Sequence, residues 1–334
     1  MAGNVSALFV YDPIMPKNLL LYKRFNNSIS ISLILAMMTV QGSLFGFSSI
    51  DTVEIGGIKQ WISIKGTNIH DPILLFLHGG PGNSASGYAD RFTNDLQKHF
   101  VVVQWDQRES GKTAKLSPSK AQLTVELMLN DAVEVINYLR TRFSCQKIYL
   151  MGHSWGGFLG LKVATTHPEL LEAYFAVSPM VNQLESERLS LEWMKEKAKE
   201  KNNPEELAEL AGVSVPFKNG EQLYYHRKWL AKRMETSIPS KAFVETWALK
   251  WLPLFNEASA FNFSEKATEI RCPVYFFVGR KDYQTHFRLT EGYYKEVKAE
   301  KKDLFWFTNS AHNLNLTEPK KFQEIVISLL RSKN

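Results

Sequence analysis

The stretch Lys147-Ile148-Tyr149-Leu150-Met151-Gly152-His153-Ser154-Trp155-Gly156-Gly157 decides the fold of this 334-residue chain. It opens with an apolar run of β-forming residues and leads into a helical pattern, which predicts a strand, a sharp turn and a helix. Gly152 and Gly156 match the pattern G-x-S-x-G, in which the missing Cβ atoms leave room for a tight turn. Such a turn exposes the Ser154 hydroxyl above the sheet and directs the Trp155 N–H at a developing oxyanion. The alternative is a glycine-bracketed serine in an ordinary strand-to-helix loop.

Buried strands and helices alternate on both sides of this stretch. The continuous apolar runs Ile73–Leu77 and Val101–Trp105 are typical of parallel strands covered on both faces. This alternation predicts an α/β fold, with a mainly parallel central sheet flanked by helices. Residues 182–266 interrupt it with a charged and aromatic segment of helical periodicity. We interpret that segment as a helical cap, inserted between two parts of the core, 51–181 and 267–334.

Residues 1–50 differ in character from the rest of the chain. Basic residues precede an apolar run from 29 to 40, and small residues follow it. This is the pattern of a signal peptide, with removal expected up to roughly Gly42 or Ser49. An uncleaved membrane anchor is an alternative, as is a cytoplasmic protein with a buried helix or strand in this segment. We therefore expect an exported (periplasmic or secreted) or membrane-anchored protein, with any membrane association through this segment alone.

Charge and cysteine content exclude several kinds of partner. The net charge is +6, but the basic residues are scattered or mixed with acidic ones, as in residues 195–201. This is typical of a solvated surface, and we expect no nucleic-acid partner. Cys145 and Cys272 precede predicted strands that have a third strand between them, which exceeds disulfide reach and predicts two free, buried thiols. No C-x-x-C motif or histidine cluster indicates a metal site.

Three residues suited to nucleophilic catalysis follow predicted strands in the order serine, aspartate, histidine. They are Ser154, Asp282 and His312. A serine hydroxyl is a weak nucleophile, and it needs a base that a third group holds in the right tautomer. The carboxyl ends of parallel strands meet at one edge of the sheet, where such sites are built. We therefore predict Ser154 as nucleophile, His312 as general base and Asp282 as the acid that orients His312.

Three other residues are rivals for these roles. Asp106 follows a strand but precedes the serine in the chain, so we expect it to hold the Gln107-Arg108 loop. His286 is an alternative base, although it lies in a turn before a helix rather than after a strand. His153 lies inside the sharp turn and is predicted to pack in the core.

A glycine-rich loop supplies the second candidate oxyanion donor. His78-Gly79-Gly80-Pro81-Gly82 follows the first buried strand. Glycines let the backbone approach a substrate carbonyl, and this loop is the usual source of the second N–H. We predict the N–H groups of Gly80 and Trp155 as the oxyanion hole. A glycine-rich turn with no catalytic use is the alternative.

These motifs together resemble the α/β-hydrolase fold and, within it, the proline iminopeptidase group of serine peptidases. The matching pieces are His78-Gly79-Gly80-Pro81-Gly82, Asp106-Gln107-Arg108, Gly152-His153-Ser154-Trp155-Gly156-Gly157, Gly279-Arg280-Lys281-Asp282 and the His312 loop. The resemblance implies release of an N-terminal residue, often proline, without a cofactor, with glutamates of the cap binding the substrate's free ammonium. The chain departs from the family at Glu109, where glycine is usual, and it has no clear counterpart of the family's tryptophan-rich cap segment that ends in glutamate.

The predicted function is therefore that of a serine hydrolase, foremost an aminopeptidase acting on small peptides or amides. A carboxylic-ester hydrolase of the same fold is the alternative, and a non-catalytic ligand receptor is a third interpretation. An aminopeptidase needs a carboxylate in the cap, because an unpaired buried ammonium is costly. The sequence does not rank the candidates, which are Glu185, Glu187, Glu192, Glu221 and Glu245.

Overall fold

An eight-stranded sheet organises residues 46–331, the part of the chain that the computed structural model describes. The strands are β1 (Phe47–Ile55), β2 (Ile58–Gly66), β3 (Ile73–Leu77), β4 (Val101–Asp106), β5 (Ile148–His153), β6 (Leu171–Val177), β7 (Glu269–Ile270), β8 (Val274–Gly279), β9 (Lys298–Ala299) and β10 (Lys302–Phe307). The spatial order is β1-β2-β4-β3-β5-β6-β8-β10, and β7 and β9 form a separate parallel pair. Strand β2 is antiparallel to β1 and β4, and all other neighbours in the large sheet are parallel. This confirms the predicted mainly parallel sheet.

The central strands are buried on both faces. All five residues of β3 are buried, with Leu75 and Leu77 in the core on one face and Leu74 and Phe76 in the core on the other. Successive side chains of a strand point to opposite faces, so a strand between two helical layers must be apolar throughout. This is why the apolar runs of the sequence predicted these strands.

Helices cover both faces of the sheet and form the cap. They are α1 (Asp90–Thr93), α2 (Gly111–Leu116), α3 (Val125–Arg142), α4 (Trp155–Thr166), α5 (Gln183–Glu200), α6 (Pro204–Ala211), α7 (Gly220–Arg233), α8 (Lys241–Ser259), α9 (Phe263–Lys266), α10 (Phe287–Glu296), α11 (Leu314–Thr317) and α12 (Pro319–Arg331), with single 3₁₀ turns at Leu96–Lys98 and Pro168–Leu170. The long cap helices α5 to α8 lie in the predicted insertion. Each begins after a side-chain cap, in order Asn182, Asn203, Asn219 and Ser240. These caps satisfy N–H groups that a helix leaves unpaired at its first turn.

The start of the sheet differs from the expected boundary. Strand β1 begins at Phe47 rather than after Asp51, because its alternating pattern pairs with β2 as far as Gly66. The predicted apolar export or anchor segment falls on residues 1–45, which lie outside the described residues. No helix within 46–331 is long and apolar enough to cross a membrane.

Neither of the two cysteines is joined in a disulfide, as predicted. Their strands, β5 and β8, have β6 between them. Cys272 is buried, but Cys145 is half-buried rather than buried, because it lies in the exposed turn that follows helix α3.

Candidate active site

The turn between β5 and α4 holds Ser154 in a strained backbone conformation. Its φ is 58° and its ψ is −115°, a region that residues with a Cβ rarely occupy. The flanking glycines are required sterically: a Cβ on Gly152 would lie 2.1 Å from the carbonyl oxygen of Gly156, and one on Gly156 would lie 2.0 Å from that of Leu77. The strand, the tight turn and the helix thus place Ser154 at the carboxyl edge of the sheet, as the sequence predicts.

The structure brings Ser154, His312 and Asp282 into one hydrogen-bonded series. His312 Nδ1 lies 2.9 Å from Asp282 Oδ2, and His312 Nε2 lies 2.9 Å from Ser154 Oγ. A carboxylate only accepts, so Nδ1 carries the ring proton and Nε2 is free to accept the serine hydroxyl. All three residues are buried, although each follows a different strand. The arrangement can remove a proton from the serine.

Asp282 is held by its own turn. Its Oδ1 accepts the N–H groups of Gln284 at 2.9 Å and Thr285 at 3.0 Å, and its Oδ2 accepts the Thr285 hydroxyl at 2.8 Å. Burial raises the pKa of Asp282, but the charge of His312 and the hydrogen bonds from His312 and Thr285 outweigh it and lower the pKa to about 2. The carboxylate therefore stays ionised and keeps the proton on Nδ1 of His312.

The rival acid, Asp106, and the rival base, His286, have other partners than the triad residues. Asp106 accepts the backbone N–H of Lys112 at 2.8 Å and the hydroxyl of Ser84, so it holds the first turn of helix α2 instead of a histidine. His286 packs between aromatic rings, with centroids 5.3 Å from both Tyr283 and Phe287.

The sequence analysis predicted that His153 packs in the core, and this is wrong. His153 lines the cavity above Ser154. Its Nε2 lies 3.0 Å from the backbone oxygen of His312, and the two rings are 4.9 Å apart. Since a carbonyl only accepts, His153 donates this bond. Burial and the charge of His312 lower the pKa of His153 to about 4, so it is neutral at physiological pH. The sequence could not reveal this, because the loop that carries His312 lies more than 150 residues away.

The two predicted oxyanion donors lie on the residue after the serine and on a loop that lines the same cavity. Trp155 is the first residue of helix α4, and the first N–H groups of a helix have no partner within it. Gly80 lines the same cavity as Ser154 and has a φ of +115°, and a Cβ there would lie 2.7 Å from the nitrogens of Gly82 and Asn83. The glycine is therefore required by the turn itself, and the loop brings its backbone to the cavity wall.

A buried glutamine that the sequence analysis did not single out connects these two elements. Gln107 Oε1 accepts the Trp155 indole N–H at 2.9 Å, and its Nε2 donates to the carbonyl oxygen of His78 at 3.0 Å. Gln107 is fully buried. The only sequence signal was its position in the Asp106-Gln107-Arg108 motif.

A cavity of about 780 Å³ lies between Ser154 and the cap. Its cap wall is mainly apolar, with Leu223, Leu230, Met234, Val244, Trp247 and Phe255. The charged side chains that line it are Arg91, Arg227, Glu235 and Lys281. The cavity is large enough for a small peptide or a comparable amide or ester.

The cap glutamates proposed from the sequence do not line this cavity. Glu187 is buried beneath its wall, where Arg227 donates to both of its oxygens and Gln183 donates at 2.6 Å. The other four candidates pair with surface cations: Glu185 and Glu192 with Arg188, and Glu221 and Glu245 with Lys241. The cavity's carboxylate is instead Glu235, which lies two residues beyond the end of helix α7 in a left-handed conformation with a φ of 55°. Helical periodicity does not show which face of a cap helix turns toward the site, and Glu235 lies beyond a helix end.

Among residues 46–331, no group of three or more histidine, cysteine, aspartate or glutamate side chains is placed to hold a metal ion. The Ser154 hydroxyl and the His312 base line the cavity, and Asp282 lies behind His312, hydrogen-bonded to its ring. This set can carry out acyl transfer with protein groups alone.

Known proteins share this architecture. The family model described as alpha/beta hydrolase fold matches residues 72–317. The Bacillus subtilis (strain 168) protein named probable aminopeptidase YbaC is 30% identical over 293 residues, covering 81% of this chain and 92% of that protein. Two solved structures share the fold. The proline iminopeptidase of Mycobacterium smegmatis has a TM-score of 0.61 and 16% identity, over 85% of this chain and 98% of that one. An esterase from Exiguobacterium antarcticum has a TM-score of 0.56 and 17% identity, over 84% of this chain and 98% of that one. The chain therefore belongs to the alpha/beta hydrolase fold family, and it is a hydrolase.

Proposed function

We propose that the protein is a serine hydrolase in which Ser154, His312 and Asp282 form the catalytic triad. The series of two 2.9 Å hydrogen bonds at the floor of the cavity carries this proposal. Ser154 Oγ attacks a substrate carbonyl while His312 Nε2 takes its proton. His312 then returns the proton to the leaving group, and a second cycle with water releases the acyl group.

The N–H groups of Trp155 and Gly80 complete this mechanism as oxyanion donors. The tetrahedral intermediate places a negative charge on the former carbonyl oxygen, and fixed N–H donors stabilise that charge more than they stabilise the ground state. Trp155 follows Ser154 directly in the chain and Gly80 lines the same cavity as Ser154, and Asp282 stabilises the imidazolium that forms on His312.

The substrate class that we propose is a small peptide or amide with a free N-terminus. The relative named as an aminopeptidase supports it, as does Glu235, whose carboxylate has no ion-pair partner within the described residues. Glu235 stands where a left-handed backbone favours glycine and where a helix C-terminus disfavours negative charge. Glu235 is exposed to solvent, and a substrate ammonium in the cavity would pair with its carboxylate.

Hydrolysis of a carboxylic ester is the second candidate. Arg91 and Lys281 line the cavity and have no ion-pair partner within residues 46–331, whereas Arg227 is neutralised by Glu187. Two unpaired cations against one carboxylate give the cavity an excess of positive charge. This excess favours a neutral or anionic substrate over a cationic one.

The triad is tested with Ser154→Ala. We expect the wild-type protein to be labelled by a fluorophosphonate probe and the folded variant to be unlabelled, because the probe forms a covalent bond to the serine oxygen. Circular dichroism establishes that the variant is folded. Equal labelling of both proteins would refute the triad, and an unreactive wild type would favour a non-catalytic receptor.

The substrate class is tested with a pair of amides. Prolyl-naphthylamide carries the free amine, and its N-acetylated form removes the positive charge. We expect cleavage of the free-amine amide alone, and a rise of at least tenfold in KM for Glu235→Gln with a small change in kcat. Equal rates on both amides, or cleavage of an aryl ester alone, would assign the protein to the esterases.

A further inference from the structure

We propose that Gln107 is a positioning residue that fixes the two oxyanion donors relative to each other. The inference rests on the proposed function, because it takes Gly80 and Trp155 as those donors. Gln107 does not line the cavity, and its effect passes through the residues that it holds.

The side-chain amide of Gln107 has only one orientation that satisfies its partners. The Trp155 indole N–H donates to Oε1 at 2.9 Å, and Nε2 donates to the His78 carbonyl oxygen at 3.0 Å. An indole nitrogen only donates and a carbonyl oxygen only accepts, so neither end of the amide can be exchanged. The residue is fully buried.

Both partners of Gln107 lie next to the atoms that face the substrate. Trp155 supplies one donor from its own backbone, and its indole is the side chain that Gln107 holds. The His78 carbonyl begins the loop that contains Gly79 and Gly80, and the backbone N–H of Gln107 also lies 3.1 Å from His78 Nε2. Glycines have the widest choice of backbone conformations, so the position of the Gly80 N–H depends on what fixes the base of its loop. Gln107 supplies two of those bonds, one from its side chain and one from its backbone.

The consequence is specific to the transition state. An oxyanion exists only after Ser154 has attacked, so a change in the spacing of the two donors affects kcat and leaves substrate binding nearly unchanged. A displacement of about 1 Å at such a site costs on the order of 100-fold in rate. A residue that served stability alone would lower the melting temperature without this division between kcat and KM.

The chain contains a matched control for Gln107. Gln60 Oε1 accepts the indole N–H of Trp105 at 2.8 Å, and its Nε2 donates to Asp131 Oδ2 at 2.9 Å. Gln60 is also fully buried, and it contacts neither His78 nor Trp155 among its hydrogen-bond partners. Replacing either glutamine by methionine removes the same groups and keeps a similar volume.

The experiment compares Gln107→Met with Gln60→Met on p-nitrophenyl acetate and in the rate of fluorophosphonate labelling. For Gln107→Met we expect kcat and the labelling rate to fall 10- to 100-fold, with KM within about twofold of wild type. For Gln60→Met we expect both rates to stay within about threefold, at a similar loss of melting temperature. Equal rates in the two variants, or a change confined to KM, would overturn the inference.

A second variant covers the case in which Gln107→Met does not fold. Trp155→Phe removes the indole N–H from the opposite side of the same bond and leaves the Trp155 backbone in place. We expect the same fall in kcat, and wild-type rates in this variant would overturn the inference. Loss of labelling in Ser154→Ala together with unchanged rates in the Gln107 variant would reject this inference while leaving the proposed triad in place.

Discussion

Acidification should destabilise the protein through two histidines, the half-buried His153 at the cavity and the buried His226 in the cap. Burial, with the charge of His312, lowers the pKa of His153 to about 4. Burial also lowers the pKa of His226 to about 4; the negative charge of Glu187 raises this pKa, and the positive charge of Arg227 lowers it further. An unfolded histidine has a pKa of about 6.5, so between pH 6.5 and pH 4 the unfolded chain binds protons that the native protein does not. The free energy of unfolding therefore falls as the pH falls through this window.

The size of the fall follows from the two pKa values. Near pH 5.5 an unfolded histidine is about 90% protonated and a native one with a pKa of about 4 is almost wholly neutral, which gives a slope of about 1.2 kcal/mol per pH unit for each residue. His153 and His226 together should lower the free energy of unfolding by about 2.4 kcal/mol between pH 6 and pH 5. The fall is a large part of the stability of an ordinary domain, about 5–15 kcal/mol. Burial lowers the pKa of His78 as well, and this adds to the fall.

The measurement is urea unfolding followed by tryptophan fluorescence at intervals between pH 5 and pH 7. The variant His226→Gln removes one titrating group from the cap, and His153→Gln removes the other from the site. Each should reduce the slope by about 1.2 kcal/mol per pH unit. A wild-type stability that is constant between pH 6 and pH 5, or a slope that neither variant changes, would refute the reasoning.

Two further substitutions test how the scaffold holds the site. Arg108→Leu should lower the free energy of unfolding, measured by urea denaturation, by about 3–5 kcal/mol. The substitution leaves the buried Asp131 carboxylate without the guanidinium that now lies 2.8 Å away. A loss below about 1 kcal/mol would contradict this. Gly156→Ala should abolish fluorophosphonate labelling, because its Cβ would lie 2.0 Å from the Leu77 oxygen. The control Gly87→Ala, whose Cβ would have no atom within 4 Å, should be labelled like wild type. Equal labelling of the two variants would show that the turn tolerates a side chain.

The sheet and the series Ser154, Asp282 and His312 could be predicted because their signals are local. A strand that is buried on both faces must be apolar throughout, and a turn as tight as the one at Ser154 needs its two glycines. Once three strands are recognised as parallel, the residues that follow them must converge at one edge. Chain order and strand position together were therefore enough.

The surroundings of Ser154 could not be predicted, since they depend on contacts between distant segments. His153 was expected in the core, but its ring meets a loop that follows β10. Gln107 shows no signal except its motif, and its proposed role depends on Trp155 in helix α4 and on His78 in the loop after β3. In the cap, amphipathic spacing locates a helix but does not say which of its polar residues faces the cavity. Five glutamates were candidates for that reason, and the cavity's carboxylate, Glu235, was not among them.

Three residues of the site and its surroundings share an unusual feature, which is a left-handed backbone at a residue other than glycine. Within the described residues Glu109, Ser154 and Glu235 have φ values of 59°, 58° and 55°. Each such conformation costs on the order of 1 kcal/mol or more and persists only where neighbouring contacts hold it. It brings Ser154 to the cavity wall, and Glu235 places a carboxylate at the same cavity. Glu109, where the resembled family usually has glycine, gains an ion pair of 2.6 Å with Lys250 of cap helix α8, and so joins the Gln107-Arg108 loop to the cap. At these three positions the left-handed residue contributes a side chain that glycine lacks, and Ser144, Ser178 and Asn202 share the conformation elsewhere among the described residues.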